Sequence, residues 1–440
     1  MKHRSWQLVL MLVLVLFGTL AGMQALAANK SNKSNTSSKS NKTHNSVQKF
    51  DIATGGAPVI ASDGQGHLHV AFEGREPDKT VVDIFYCQSS DNGKTWTTAK
   101  DVSGTPGTSA HPDIAVEKGG GIDVVWSDTT SGENTPDIYF ARSPDGGKTW
   151  TESRDISSTP GASTEPVVAT GPDNSIHVLW SDTSKGEKNK DIYYCCSTDG
   201  GKTFAKDPLL PAVDVSNTPG NSSEPTIAVG NDGTVHAAWL DSTPGETHPD
   251  IFYAQNVTGK WTNVTNVSHS PRVSDHPSLA CGAKGKVFLV WTDNSRKEKA
   301  PDIWCVVSRT EEHFSKGRPI NISNTPGVST EPTVAAGEMG RLGIVWADTT
   351  TGEKSPDIFA RVSLDGGSEF TNVLDMSSTP GVSKHPRVTI AGTKMFVVWE
   401  DVNVQGTKST VKLNAMDIKD VPTGPIQEVD PVIHPHMMSD

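Results

Sequence analysis

Cysteine is scarce, at five residues in a chain of 440, and the number is odd. A fold held by a disulfide framework is therefore not expected. Cys87 and Cys195 recur at a strand slot that Ala141 fills in another copy, so both read as free thiols in a small buried position. Cys195 and Cys196 are adjacent, but successive strand residues face opposite sides. Long apolar runs are equally rare. The run Leu8 to Leu20 is thirteen residues, short for a bilayer span. Lys2, His3 and Arg4 precede it and Ala25-Leu26-Ala27 follows. That is the pattern of a cleaved secretory signal over residues 1–28, with an uncleaved anchor as the alternative. The mature chain is expected to be soluble, without a membrane span, and secreted, whether extracellular or periplasmic. Bases are in deficit, 39 Lys and Arg against 51 Asp and Glu. The deficit argues against nucleic acid as a partner and mildly for cations or basic partners. Tyrosine is limited to five residues, none beyond Tyr253.

Residues 29–47 (NKSNKSNTSSKSNKTHNSV) are low-complexity Asn, Ser and Lys with nothing to bury, and read as a disordered linker. Residues 420–440 are Pro-rich and read as an extended tail. Between them, over 48–419, long helical patterns are missing and Gly, Pro, Thr and Val are plentiful. That composition predicts an all-β domain of many short strands.

What is present is a repeat. Seven times a residue followed by Pro precedes an aromatic: Ala57 and Phe72, His111 and Trp126, Glu165 and Trp180, Glu224 and Trp239, His276 and Trp291, Glu331 and Trp346, His385 and Trp399. Six spacings are fifteen and the last is fourteen. Eleven residues after the aromatic an Asp opens a short apolar run at 83, 137, 191, 250, 302 and 357, and Thr410 takes that place in the seventh copy. Each period of roughly 54 residues holds about four strand-like runs, which predicts a β-propeller of four-stranded antiparallel blades.

Between the third and fourth runs lies Ser143-Pro144-Asp145-Gly146-Gly147-Lys148-Thr149-Trp150, with counterparts at Ser89 to Trp96, Ser197 to Phe204 and Ser363 to Phe370. Asp in such a turn accepts from nearby backbone amides and Gly supplies a positive φ. NVTGKW and SRTEEHF are worn versions. This S-x-D-x-G-x-T-W turn resembles the Asp-box, or BNR repeat, of sialidases and related propellers. The resemblance covers about 57–419. It implies that Asp91, Asp145, Asp199 and Asp365 are structural and lie away from the active face, and that the Asp-box aromatic packs between sheets.

The blade count follows from the fourth strands. Six begin internally at Asp101, Asp155, Asp214, Asn266, Asn321 and Asp375, and the seventh matches Phe50 to Thr54, at the other end of the chain. Seven blades are predicted, closed by that N-terminal strand, which removes both free edges. The six-bladed sialidase-type propeller is the alternative.

Strand one should be innermost, with Pro tolerated because its edge faces the channel. His111, Glu165, Glu224, His276, Glu331 and His385 then form a ring at the top of the axis and are the candidate ligand-binding residues. Mixed His and carboxylate is also divalent-metal chemistry, so a divalent ion in the central channel is a further expectation. The Asp residues two after each Trp, among them Asp128 and Asp348, read as loop caps. The Pro-Gly of the T-P-G connections, such as Pro160-Gly161, fits a type II turn. Ala57 breaks the ring.

The resemblance to sialidases stops short of their chemistry, which needs three arginines, a Tyr nucleophile and acidic partners. The x-R-I-P motif expected before blade one is replaced by GGAPVIA, and Arg75, Arg272 and Arg296 are not marked as a triad. The primary expectation is a monomeric recognition module that binds glycan or extracellular protein through its top face. A sialidase-like exo-glycoside hydrolase is the alternative.

Overall fold

The computed structural model describes residues 48–132, 134–184, 189–204, 212–243, 248–295, 300–308, 314, 317–350 and 355–426. The expected signal, the linker, Arg296 and most of the C-terminal tail lie outside the described residues. No helix among them is long and apolar enough to cross a membrane.

Seven antiparallel sheets succeed one another along the chain. Blade 1 comprises Gly56–Ser62, Leu68–Gly74, Asp83–Ser89 and Lys100–Asp101. Blade 2 comprises Ser109–Val116, Ile122–Asp128, Asp137–Ser143 and Arg154–Asp155. Blades 3 to 6 repeat the plan, blade 4 with one additional two-residue strand, Lys260–Trp261. The last strands, Val382–Ala391, Lys394–Val402 and Ser409–Asp417, are completed by Gln48–Thr54, which pairs antiparallel with Ser409–Asp417 from Gln48 opposite Ala415 to Thr54 opposite Thr410. The molecule is a seven-bladed β-propeller closed by its N-terminal strand, so the six-bladed alternative falls.

The core is interleaved between blades. The second-strand tryptophans Trp126, Trp180, Trp239, Trp346 and Trp399 are wholly buried, each a large apolar group whose removal from water drives neighbouring sheets together. Trp126, for example, sits in one cluster with Ile84, Tyr86 and Val102 of blade 1. The Asp-box aromatics bridge in the same sense. Trp150 meets Tyr86 edge-on at 4.8 Å, Phe204 meets Phe140 at 4.8 Å and Phe314 meets Tyr253 at 4.9 Å. All five cysteines are free, and four of them are buried.

The turns themselves close as expected. Asp145 accepts from the Ser143 hydroxyl and from the amide and hydroxyl of Thr149, and these bonds hold its carboxyl down at about 2. Asp91 repeats the set and is likewise held at about 2. Asp199 and Asp365 keep the same turn, and both carboxyls are lowered. Gly146 and Gly147 supply positive φ.

Three local expectations are corrected. The outer strands of blades 1 to 6 are two-residue ladders that end at the Asp or Asn rather than begin there, as Arg154–Asp155 and Ile320–Asn321 do. The chain there spends its polar groups on caps, Asp155 accepting from the amides of Ser157 and Ser158. Strand one starts earlier than the Pro, at Ser109 in blade 2, and the ladder slips between Ala110 and Asp113. The ring residue and its Pro form that bulge, a device that takes up one unpaired residue. Finally, the T-P-G connections are not type II turns. Gly161 has no positive φ, and the left-handed residue is Ser158, with Gly104, Asn217 and Ser378 in its place elsewhere.

Glycine is required after the Pro for a different reason. A Cβ on Gly161 would lie 2.4 Å from the Ser184 amide nitrogen, and one on Gly327 would lie 2.4 Å from that of Thr350. The two top-face loops touch backbone to backbone. Gly161→Ala is expected to destabilise by about 1–3 kcal/mol through overpacking, seen as a lower thermal midpoint, whereas Gly146→Ala, with open space around it, is expected to cost less and to act through φ alone.

Candidate functional site

Antiparallel pairing fixes which residues share an end of each blade. Ser109 lies opposite Asp128, and Asp128 opposite Asp137, so the start of strand one, the end of strand two and the start of strand three are at one face. Ser143, where the Asp-box begins, pairs with Ile122 at the other. On the first face the carboxylates two after the Trp are buried caps in blades 2 to 6. Asp128 Oδ2 accepts from the Thr105 and Ser109 hydroxyls and the Trp126 indole, and its Oδ1 from the Thr130 amide. Asp182 and Asp348 repeat the arrangement. The strand-three Asp residues take the serine of the following S-x-T-P-G loop, as Asp137 does with Ser157 and Asp357 with Ser377. Both sets of Asp are spent on loops.

The ring forms as the repeat implies. His111, Glu165, Glu224, His276, Glu331 and His385, with Ala57, line one central cavity of about 1080 Å³ at the top face. All seven have positive φ, from 44° at Ala57 to 57° at Glu165. This left-handed backbone is uncommon for residues other than Gly. The sequence carries no glycine there to announce it, and the bulge at the Pro explains it.

All three ring carboxylates do a task that spacing does not disclose, because each reaches sideways to the next blade. Glu165 Oε2 accepts from the Glu224 amide at 3.0 Å, Glu224 Oε2 from the His276 amide at 2.8 Å, and Glu331 Oε2 from the His385 amide at 2.8 Å. Blades 1 and 7 have Ala57 and His385 in the ring and supply the carboxylate from strand two instead. Glu73 accepts from the His111 amide at 2.9 Å and Glu400 from the Ala57 amide at 3.2 Å. Glu73 and Glu400 are thus site residues that the period misses. The one signal for them is an acid directly after Phe72 and Trp399, where blade 2 carries Ser127 and blade 5 Thr292.

Electrostatics follow from these bonds. Burial pushes the Glu165 carboxyl up, but the Glu224 amide, Lys190 and Ser181 outweigh it and leave it below its usual value. Burial wins at Glu224, which is raised. At His276 burial is outweighed by Asp275 at 2.8 Å and by Glu224 and Glu331, which hold the imidazole up at about 9. Glu400 is pushed up by burial but taken down to about 2 by His385, Ser409, the Ala57 amide and Lys384. A carboxylate depressed in the folded state stabilises fully above about 4.5 and loses that contribution as pH falls toward about 2. Glu400→Gln is accordingly expected to lower the thermal midpoint at pH 7 and to differ little from wild type only below about pH 2. A deficit that persists unchanged at low pH would refute an ionic role.

One level below the ring, the residue after each Pro is Val59, Asp113, Val167, Thr226, Ser278, Thr333 and Arg387. The tier therefore carries a single acid and a single base. Asp113 is pushed up to about 6 by burial, with the Val168 amide and Arg387 opposing. Burial lowers Arg387 from its usual value, with Asp113 and Glu331 opposing. The expected divalent-ion site is not assembled: among the described residues no three His, Cys, Asp or Glu side chains converge as a metal ion requires. The physical reason is that the ring oxygens point along the ring to neighbouring amides rather than across the channel. Of the arginines raised for a hydrolase, Arg75 lines the cavity, and no tyrosine does. The tyrosines are core residues, His69, His177 and His236 bonding the hydroxyls of Tyr86, Tyr194 and Tyr253 at 2.6–2.7 Å.

The comparisons agree with this architecture. Residues 26–239 match the model of the BNR repeat-like domain. No curated protein matches the chain. Among solved structures, a protein of unknown function from Dyadobacter fermentans is 15% identical, with TM-score 0.50, over 85% of this chain and 99% of that one. Ulvan lyase of polysaccharide lyase family PL25 is 13% identical, with TM-score 0.54, over 86% and 97%. The Hadza microbial sialidase Hz136 is 14% identical, with TM-score 0.50, over 85% and 69%. At these identities the likeness is one of fold. Together with the Asp-box turns, it defines the class: this chain is a β-propeller with BNR-like repeats, of a fold that it shares with a sialidase and a polysaccharide lyase.

Proposed function

We propose that this propeller is an exported recognition module that binds glycan through the central cavity of its top face. The observation that carries the reading is the cavity itself, about 1080 Å³ and ringed by seven bulged strand starts. Its walls mix the His and Glu of the ring with the prolines and valines beside them, and the ring glutamates are fixed by blade-to-blade hydrogen bonds. A rigid, preorganised cavity with few free acids suits binding more than bond cleavage. The sialidase and ulvan lyase among the structural neighbours are, by name, glycan-active proteins on the same fold, and that adds support for the ligand class.

The test is a glycan array probed with the mature chain and with His276→Ala. Binding that the substitution weakens supports the reading. No ligand on the array, together with turnover of a fluorogenic glycoside by the wild type, overturns it.

A further inference from the structure

The cavity is not seven-fold. Blades 2 to 6 contribute only the ring residue, its Pro and the next one or two strand residues. Blades 1 and 7 contribute far more: Gly55 and Gly56, the end of strand two at Gly74 and Arg75, and the Thr407–Ser409 segment. The cavity therefore has one arm, and it opens where the ring residue is Ala57. Two features of the sequence make that opening. Ala57 projects no side chain beyond Cβ, and Gly56 leaves room that a Cβ would close, since one there would sit 2.7 Å from Glu400 Oε2.

The charges on the arm are lopsided. Its acids are already engaged: Glu73 holds the His111 amide, and Glu400 holds the Ala57 amide, Ser409 and Lys384. Its bases are not. Among the described residues, the guanidinium of Arg387 has one hydrogen bond, to the carbonyl of its neighbour Pro386 at 3.0 Å. Arg387 faces the channel floor below the gap, while exposed Arg75 and Lys408 stand on the loops above it. The Arg387 side chain is exposed to the cavity, and a guanidinium with donors to spare is a strong partner for a planar or tetrahedral oxyanion.

We infer that the arm over Ala57 is the subsite for an anionic substituent, a carboxylate or sulfate, of the glycan that enters the cavity, with Arg387 as its anchor and Arg75 and Lys408 as its rim. The inference rests on the recognition reading and deepens it. The repeat explains why the subsite is single. Thr333, Val167 and their counterparts occupy the Arg387 level in the other blades, and Asp113 there would repel an anion.

The experiment is calorimetric titration of the mature chain, at fixed ionic strength, with a heparin-derived hexasaccharide, an oligogalacturonate and neutral cellohexaose. Arg387→Met, Lys408→Gln and, as a surface control, Lys419→Gln are titrated alongside, each checked for an unchanged thermal midpoint. An acidic oligosaccharide that binds wild type and Lys419→Gln alike, and weakens about tenfold or more in Arg387→Met, supports the inference. Preference for the sulfated or the carboxylated probe assigns the anion. Equal binding by Arg387→Met overturns the subsite, with Lys408→Gln deciding the matter should Arg387→Met fail to fold. Binding of the neutral probe alone refutes the anionic subsite while leaving glycan recognition standing. No binding of any of the three probes by the wild type overturns the subsite, and whether glycan recognition falls with it is read from the array.

Discussion

Removing the strand of residues 48–54 is expected to cost more stability than any single substitution. This strand is the outer edge of blade 7, paired from Gln48 to Thr54. Phe50 and Ile52 pack on the cluster of Leu413, Val411 and Phe396. Its loss would expose the edge of Ser409–Asp417, a template for pairing with other chains. The lost ladder and apolar burial amount to on the order of 5 kcal/mol or more, comparable with the whole net stability of a typical domain. The expected outcome is a chain that aggregates or melts far below wild type, read by size-exclusion chromatography and thermal denaturation. Removal of residues 29–47 alone is expected to leave the midpoint unchanged. A truncation at 54 that stays monomeric with a native midpoint would refute closure by this strand.

The largest single-residue effect is expected at the second-strand tryptophans. Trp346 is fully buried, packs with Phe359, Ile303 and Val334, and donates its indole N–H to Asp348 at 3.0 Å. Trp346→Ala leaves a cavity between blades 5 and 6 and deprives a buried carboxylate of one donor. A loss of about 3–5 kcal/mol follows from the cavity alone. Trp346→Phe should recover most of the packing but not the hydrogen bond, leaving a deficit of about 1 kcal/mol. Denaturant midpoints of the two variants separate the two contributions, and equal losses would show that the hydrogen bond, not the volume, is what matters.

Repetition made most of this molecule readable from its residues. A fixed aromatic, a fixed Asp and the Asp-box turn recur because each copy solves the same local problem: a tight turn to close, a sheet face to bury, a loop to cap. Such problems depend on near neighbours in the chain, so spacing alone specified the blade, the count of seven and the closing role of Phe50 to Thr54. The turns at Asp91, Asp145, Asp199 and Asp365 were legible for the same reason, as was the placement of His111, Glu165, Glu224, His276, Glu331 and His385 around one cavity.

What the ring does was not legible, because the partners belong to different blades. Glu165 meets the Glu224 amide and Glu224 the His276 amide only after adjacent sheets pack side by side, at a separation set by buried Trp and Phe side chains. The left-handed backbone at the seven strand starts, the close approach that requires Gly161, and the recruitment of Glu73 and Glu400 beside Ala57 are also products of packing between sheets. The sequence by itself determined the blade, its number and the ring. Tertiary structure decided that the three ring carboxylates are inter-blade ties and that one arm of the cavity, beside Ala57, is lined by Arg75, Arg387 and Lys408. The reason is one of range: capping and turn formation act within a repeat, whereas hydrogen bonds across blades and the charge balance of a cavity exist only once all seven blades have closed.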